Sequence, residues 1–235
     1  MAIRPYTFSV GEYYHVYNRG TEKRAIFLDR FDRARFLILL YICNNRDSII
    51  SREIIEDRPF ETERGKPLVD IGAYCLMGNH FHLLLHEKVE NGISTFMQKL
   101  STAYAMYFNR KRERTGGLFE GKFKAKHSAD DDYLRYLFAY IHLNPVEHIE
   151  PTWKERGIKN MKRVETYLAN YVHSSYPDYI GVQRSEGVIL NRNAFPDYFS
   201  KKNSFRSFAE SWLELKPYHE EMFPSDDKQI QPIDF

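Results

Sequence analysis

Apolar and polar positions change period several times along this chain, and each change marks an element. "EYYHVYNRG" alternates as a strand from Tyr13 to Asn18 and closes on an Asn-Arg-Gly turn. Asp29 is placed to cap a helix whose apolar positions include Phe36, Leu37, Leu40 and Ile42. Residues 44–66 are polar and irregular and read as a connection with a short helix. "LVDIGAYCLM" predicts a second strand, and Gly78-Asn79 predicts a two-residue hairpin turn with Gly78 at positive φ. "HFHLLLHE" is the returning strand.

Ser94 then opens a long helix, with Phe96, Leu100, Ala103 and Tyr107 at helical spacing. "RTGG" ends it, and "LFEGKFKAKHS" predicts a fourth strand. Ser128 or Asp130 caps a further helix that runs to about Leu143 and stops at Pro145. The order is β-α-β-β-α-β with a further helix, a ferredoxin-like α+β pattern with an antiparallel sheet. Beyond about residue 180 the pattern weakens, apart from a helix near Phe205 to Leu215. We therefore expect one unit over residues 1–180 and a C-terminal extension, helical or irregular, over 181–235.

Composition adds little until position is considered. The net charge of +2 across 235 residues does not identify a partner. The two cysteines, Cys43 and Cys75, lie in apolar runs with no CxxC pair, which argues against a thiolate zinc ribbon and fits a reduced, cytoplasmic setting. The N-terminus has no apolar signal core, and no apolar run approaches the ~20 residues that span a bilayer.

The candidate chemistry lies in "HFHLLLHE". On a strand, residues i and i+2 share a face, so His80 and His82 project together and can converge on one metal ion. The competing reading is two polar side chains on a solvated sheet face. His86 lies near the strand end, while His15 and His127 sit on predicted strands and can line the same face. In "DDDYLRYLFAYIHLNPV", Leu134, Leu137, Phe138 and Ile141 form the stripe expected against the sheet. Tyr133, Tyr136 and Tyr140 are expected beside or opposite it, with Tyr136, Tyr140 and Asn144 in one row. Asn144 ends the helix, where an outward-pointing amide oxygen can complete a metal site begun by the histidines. Tyr140, one turn earlier, would bring its hydroxyl close to that metal. A phenol is a poor nucleophile at neutral pH, and a divalent cation helps to activate it.

Taken together, "MGNHFHLLL", "STAYAMYFNRKRERTGGLFEGKFKAK" and "DDDYLRYLFAYIHLNPVEH" resemble the HUH-type single-tyrosine transposases, most closely the REP-associated branch. The resemblance covers about residues 12 to 180, including "YVHSSYPDYIG", and departs from it at "NPVEH". It implies divalent metal, Mg²⁺ or Mn²⁺, on His80, His82 and Asn144, with Tyr140 as nucleophile. It further implies cleavage and rejoining of single-stranded or hairpin DNA through a 5′-phosphotyrosine, by a bacterial, cytoplasmic homodimer without a membrane segment.

DNA needs a basic surface. Arg110, Lys111, Arg112 and Arg114 cluster after the long helix, and Lys122, Lys124 and Lys126 alternate so as to share one strand face. Arg19, Lys23 and Arg24 form a smaller group. Two other readings stay open: a metal-dependent nuclease that uses water, and a nucleic-acid-binding protein without catalysis.

Overall fold

The structure is a computed structural model that describes residues 7–47, 55–199 and 204–214. Part of the 44–66 connection, and residues 200–203 and 215–235 of the expected C-terminal extension, lie outside the described residues.

Four strands, β1 (Tyr13–Arg19), β2 (Val69–Leu76), β3 (His80–Glu87) and β4 (Lys124–His127), form an antiparallel sheet in the order β2-β3-β1-β4. Two helices, α1 (Arg30–Ile42) and α2 (Gly92–Lys111), cover one face, and α3 (Asp131–Leu143) covers the other. The ferredoxin-like α+β expectation is met. Val16, Leu83, Leu85 and Phe81 alternate toward α1 and α2, where they bury Phe36, Phe96, Leu100 and Tyr104.

Local chemistry explains the ends of these elements. Asp29 caps α1 in a reciprocal box: its side chain accepts from Asp32 N, and the Asp32 carboxylate accepts from Asp29 N. The long helix starts at Gly92, two residues before the expected Ser94. Its cap comes from the preceding strand, because the buried Glu87 carboxylate accepts from Gly92 N and Ile93 N at 3.0 and 2.6 Å. Its buried row is Ile93, Phe96, Met97, Leu100, Tyr104 and Phe108, so Ala103 and Tyr107 sit at the row's margin. In the polar connection, Asn44 is buried and brackets the start of β2 with bonds to Leu68 N, Val69 N and Val69 O. Among the described residues of that connection, the helical element is a 3₁₀ turn, Pro59–Glu61.

The hairpin turn departs from expectation. Gly78 is not among the glycines at positive φ. Its carbonyl instead accepts from both Ile26 N and Phe27 N at 3.1 Å, and the Asn79 carbonyl accepts from Gly20 N at 2.9 Å. The turn is held from outside by the chain leaving β1, so it needs no left-handed residue. The expected fourth strand is also shorter: only Lys124–His127 pairs with β1. Residues 118–123 form turns, joined to the sheet by an isolated bridge between Gly20 and Phe119.

Past α3, the chain runs through a 3₁₀ turn (Asn144–His148), α4 (Trp153–Arg156) and α5 (Met161–Asn170) to α6 (Tyr176–Tyr179). The "HSSYP" stretch then lies along the outer edge of β2: Leu76 N donates to His173 O, Cys75 bridges Ser174, and Ser175 N donates to Tyr74 O. This blunts an open strand edge. The same Ser175 hydroxyl is 2.7 Å from Nε2 of the buried His142, whose Nδ1 is 2.7 Å from Phe138 O. Burial holds His142 neutral, its pKa lowered to about 3. Sheet edge and α3 are thereby locked together. Finally, Asn191 N donates to Ile71 O, Phe195 packs on β2, and α7 (Ser204–Glu214) buries Phe205, Ala209 and Leu213 beside α3 and α5.

Candidate functional site

Residues paired across a sheet place their side chains on one face. Cys75, His82, Tyr17 and Lys124 are in register, as are His80 with Arg19 and Leu84 with His15 and Lys126. The His80–His82 face is therefore the face covered by α3. His80 and His82 stand edge to face with ring centroids 4.9 Å apart.

Each histidine is fixed by its Nδ1. His80 Nδ1 lies 2.6 Å from Asn79 Oδ1, and His82 Nδ1 lies 2.9 Å from His15 Nε2. Both contacts hold the ring through Nδ1, the arrangement used where one ring nitrogen ligates a metal and its partner nitrogen is held. His15 is 1% exposed and stacks on His82 with centroids 5.1 Å apart. The sequence placed it, with His127, only on a predicted strand able to line the same face. The signal was there: His15 and Tyr17 alternate on a strand, as His80 and His82 do.

Tyr140 meets this face from above. Its ring lies edge-on to His15 at 5.5 Å and to His82 at 5.3 Å between centroids. The expectation that it stands beside or opposite the sheet-facing stripe is corrected. Residues 136–143 are all buried, because α7 and the 195–199 segment cover the side of α3 that the sheet does not. Tyr136 is the one turned away, toward Trp212 at 5.6 Å.

Asn144 also points inward, not outward as expected, and is 1% exposed. Pro145 does not end the coil but continues it as a 3₁₀ turn, which keeps Asn144 beneath the helix end. Its Nδ2 donates to Tyr140 O at 3.0 Å, which fixes the amide, and its Oδ1 is buried without a hydrogen bond. A buried amide oxygen left without a hydrogen is costly unless a cation or another donor meets it. Two imidazoles and an amide oxygen suit a divalent cation. Among the described residues no group of three or more His, Cys, Asp or Glu side chains is arranged to hold a metal, and a set completed by Asn144 falls outside that pattern.

The remaining histidines separate cleanly. His86 lies 3.1 Å from Asp70, which also binds Lys88 and Asn191. His127 faces away from the site, against Tyr14 and 2.8 Å from Glu12.

Lys154, on α4, brings its ammonium to 5.7 Å from the Tyr140 ring centroid and pairs with Glu147. Nothing in its sequence context pointed to this approach.

The basic groups divide in two. Lys111 and Arg112 are engaged by Asp29 and Asp32: Lys111 Nζ is 2.9 and 2.6 Å from the two carboxylates, and Arg112 is 2.7 and 3.0 Å from them. Burial opposes ionisation of Asp32, but hydrogen bonds led by Lys111 outweigh it and lower its pKa. Arg114 lies over Phe108, and Arg110 is exposed. Lys124 and Lys126 lie on the histidine face, Lys126 at 4.4 Å over the Tyr133 ring. Burial, then Arg19, lowers the Lys124 pKa. Lys122 does not share their strand, because it precedes β4 in the turn. Arg19 is ion-paired with Glu120.

No helix among the described residues is long and apolar enough to cross a membrane. The family model described as "Transposase IS200 like" matches residues 37–144, from the middle of α1 to the residue after α3. That span holds His80, His82, Tyr140 and Asn144. A solved structure described as "Structure of the REP associates tyrosine transposase bound to a REP hairpin" is similar over 79% of this chain and 90% of its own, with 15% identity and a TM-score of 0.46. No curated protein matches the sequence.

Proposed function

We propose that this chain, whose residues 37–144 match the IS200-like transposase family model, is a transposase of that kind and cleaves and rejoins single-stranded, hairpin-forming DNA with Tyr140 as nucleophile. The observation that supports this most is the meeting of Tyr140 with His82 and His15 beneath α3, with Asn144 fixed one turn further on.

In the proposed reaction the Tyr140 hydroxyl oxygen bonds to phosphorus and the P–O3′ bond breaks. The phenolic proton passes to solvent, and the departing 3′ oxygen takes one up. The 5′-phosphotyrosine conserves the bond, so a 3′ hydroxyl that attacks it reseals DNA and restores Tyr140 without ATP. His80, His82 and Asn144 are the residues that would hold a divalent ion such as Mg²⁺ or Mn²⁺. When bound, it would supply charge neutralisation at the scissile phosphate. His15 and Asn79 orient the two rings, while His142 and Ser175 hold α3 at its distance from the sheet.

We assign the catalytic unit to residues 1–180 and treat 181–235 as an extension of it. Arg110, Lys111, Arg112, Arg114, Lys122, Lys124 and Lys126 are proposed to contact DNA, with Lys124 and Lys126 nearest the histidine face. Lys111 and Arg112 would first have to leave Asp29 and Asp32. The active form is proposed to be a homodimer.

The test is a covalent adduct. Incubation with hairpin DNA bearing single-stranded flanks and Mn²⁺ should give a protein–DNA band that survives denaturation and disappears in Tyr140→Phe. Cleavage that persists in Tyr140→Phe would overturn the proposal in favour of a water nucleophile.

A further inference from the structure

A concave surface of about 620 Å³ opens between the 3₁₀ turn after α3 and helix α5. Asn160, Lys162, Arg163, Thr166, Tyr167 and Asn170 line it, and none of its lining residues is acidic. The Glu150 carboxylate, next to the lining residue Ile149, is turned to the backbone, where it accepts from Lys159 N and Asn160 N at 2.8 and 3.1 Å.

The lining is pre-set. Asn160 accepts from Arg163 N through Oδ1, so it caps α5 and keeps its amide NH₂ for another partner. Asn170 donates to Thr166 O. Tyr167 is half-buried, its hydroxyl 2.9 Å from His148 Nδ1 and its ring 5.6 Å from that of Tyr171.

This groove continues the catalytic site. His148 follows Asn144 by one turn, and Tyr171 donates to Leu76 O at 2.7 Å. Leu76 ends β2, and the next residue, Met77, donates to His80 O at 2.9 Å. The surface is thereby linked to the His80 end of the site through Tyr171, Leu76 and Met77.

We propose that this α5 surface binds single-stranded DNA leading to or from the scissile phosphate, with Lys162 and Arg163 on phosphates and Tyr167 stacked on a base. This deepens the reading of the chain as an enzyme of single-stranded DNA and rests on it. Cations that follow the backbone, a stacking ring and neutral hydrogen-bonding groups are the means by which single strands are held without reading their sequence. A duplex with its bases stacked inside offers Tyr167 no exposed base face.

The experiment compares binding of a labelled oligothymidylate of about 15 nucleotides with a blunt duplex of equal length, using the full chain. Lys162→Ala with Arg163→Ala, and separately Tyr167→Ala, should each lower oligothymidylate affinity by roughly tenfold and leave duplex affinity unchanged. Each cation removed should make log affinity against log salt shallower by roughly 0.7. Tyr167→Phe, which keeps the ring and loses the His148 bond, should bind as the parent does. Parent-like affinity in both alanine variants, equal losses on both DNAs, or a Phe variant as weak as Ala would each overturn the proposal. Adduct formation by the unaltered protein, measured in parallel, tests the transposase reading separately, since it does not depend on these variants.

Discussion

His15 Nε2 lies 2.9 Å from His82 Nδ1, so a histidine on β1 sets the ring direction of a histidine on β3. The two come from strands joined through the whole α1 connection, and the contact sits directly under Tyr140.

His15→Ala should therefore weaken metal use without removing a proposed ligand. The Mn²⁺ concentration that half-saturates adduct formation should rise about 10–100-fold, as for other residues that orient a ligating imidazole. Titration of adduct yield against Mn²⁺ reads this directly, and an unchanged midpoint would show that His15 only packs.

Asn144 carries two roles that substitutions separate. Asn144→Asp keeps an oxygen and should retain Mn²⁺-dependent adduct formation. Asn144→Ala loses both the oxygen and the bond to Tyr140 O, and its adduct yield should fall by at least about tenfold. Melting temperatures within a few degrees of the parent would tie the loss to the site.

Two glycines should behave oppositely. A Cβ on Gly72, at the bulge of β2, would meet the Phe195 ring at 2.6 Å, so Gly72→Ala should cost about 1–3 kcal/mol of stability. Gly78, with no atom within 4 Å of such a Cβ and no positive φ, should accept alanine with little change. Urea denaturation of both variants checks the contrast, and equal losses would contradict it.

Asp70 predicts an acid limb. Burial favours its neutral form, but hydrogen bonds from His86, Lys88 and Asn191 prevail and lower its pKa to about 2. A carboxylate with a folded pKa below its unfolded value of about 3.9 stabilises fully above that pH, and the contribution is lost as pH falls toward 2. Asp70→Asn should flatten the fall in stability between about pH 4 and 2, measured by denaturation at a series of pH values. An unaltered slope would rule out Asp70 as its source.

The strand and helix order was legible because strands of period two and helices of period 3.6 follow one another with clear punctuation. Asp29 is a cap in sequence and in structure. The start of α2 was not legible, because its cap is Glu87, on the preceding strand and outside the usual capping position. Gly78 misled for a related reason: Gly-Asn is a hairpin signal, yet this turn is held by Ile26 and Phe27 of another loop. The charge of "NRKRER" was read as a single patch, but Asp29 and Asp32 arrive from α1 and take Lys111 and Arg112.

The sequence by itself determined the element order, the shared strand face of His80 and His82, and the helical row of Tyr140 and Asn144. These are local periodicities, set by backbone geometry within one element. Only the tertiary structure decided that Tyr140 turns onto the histidine face, that Asn144 points inward and that His15 holds His82. Those depend on strand register, on the depth at which α3 packs, and on the segment after residue 190 that buries the helix's far side. Each is fixed by contacts between residues far apart in the chain.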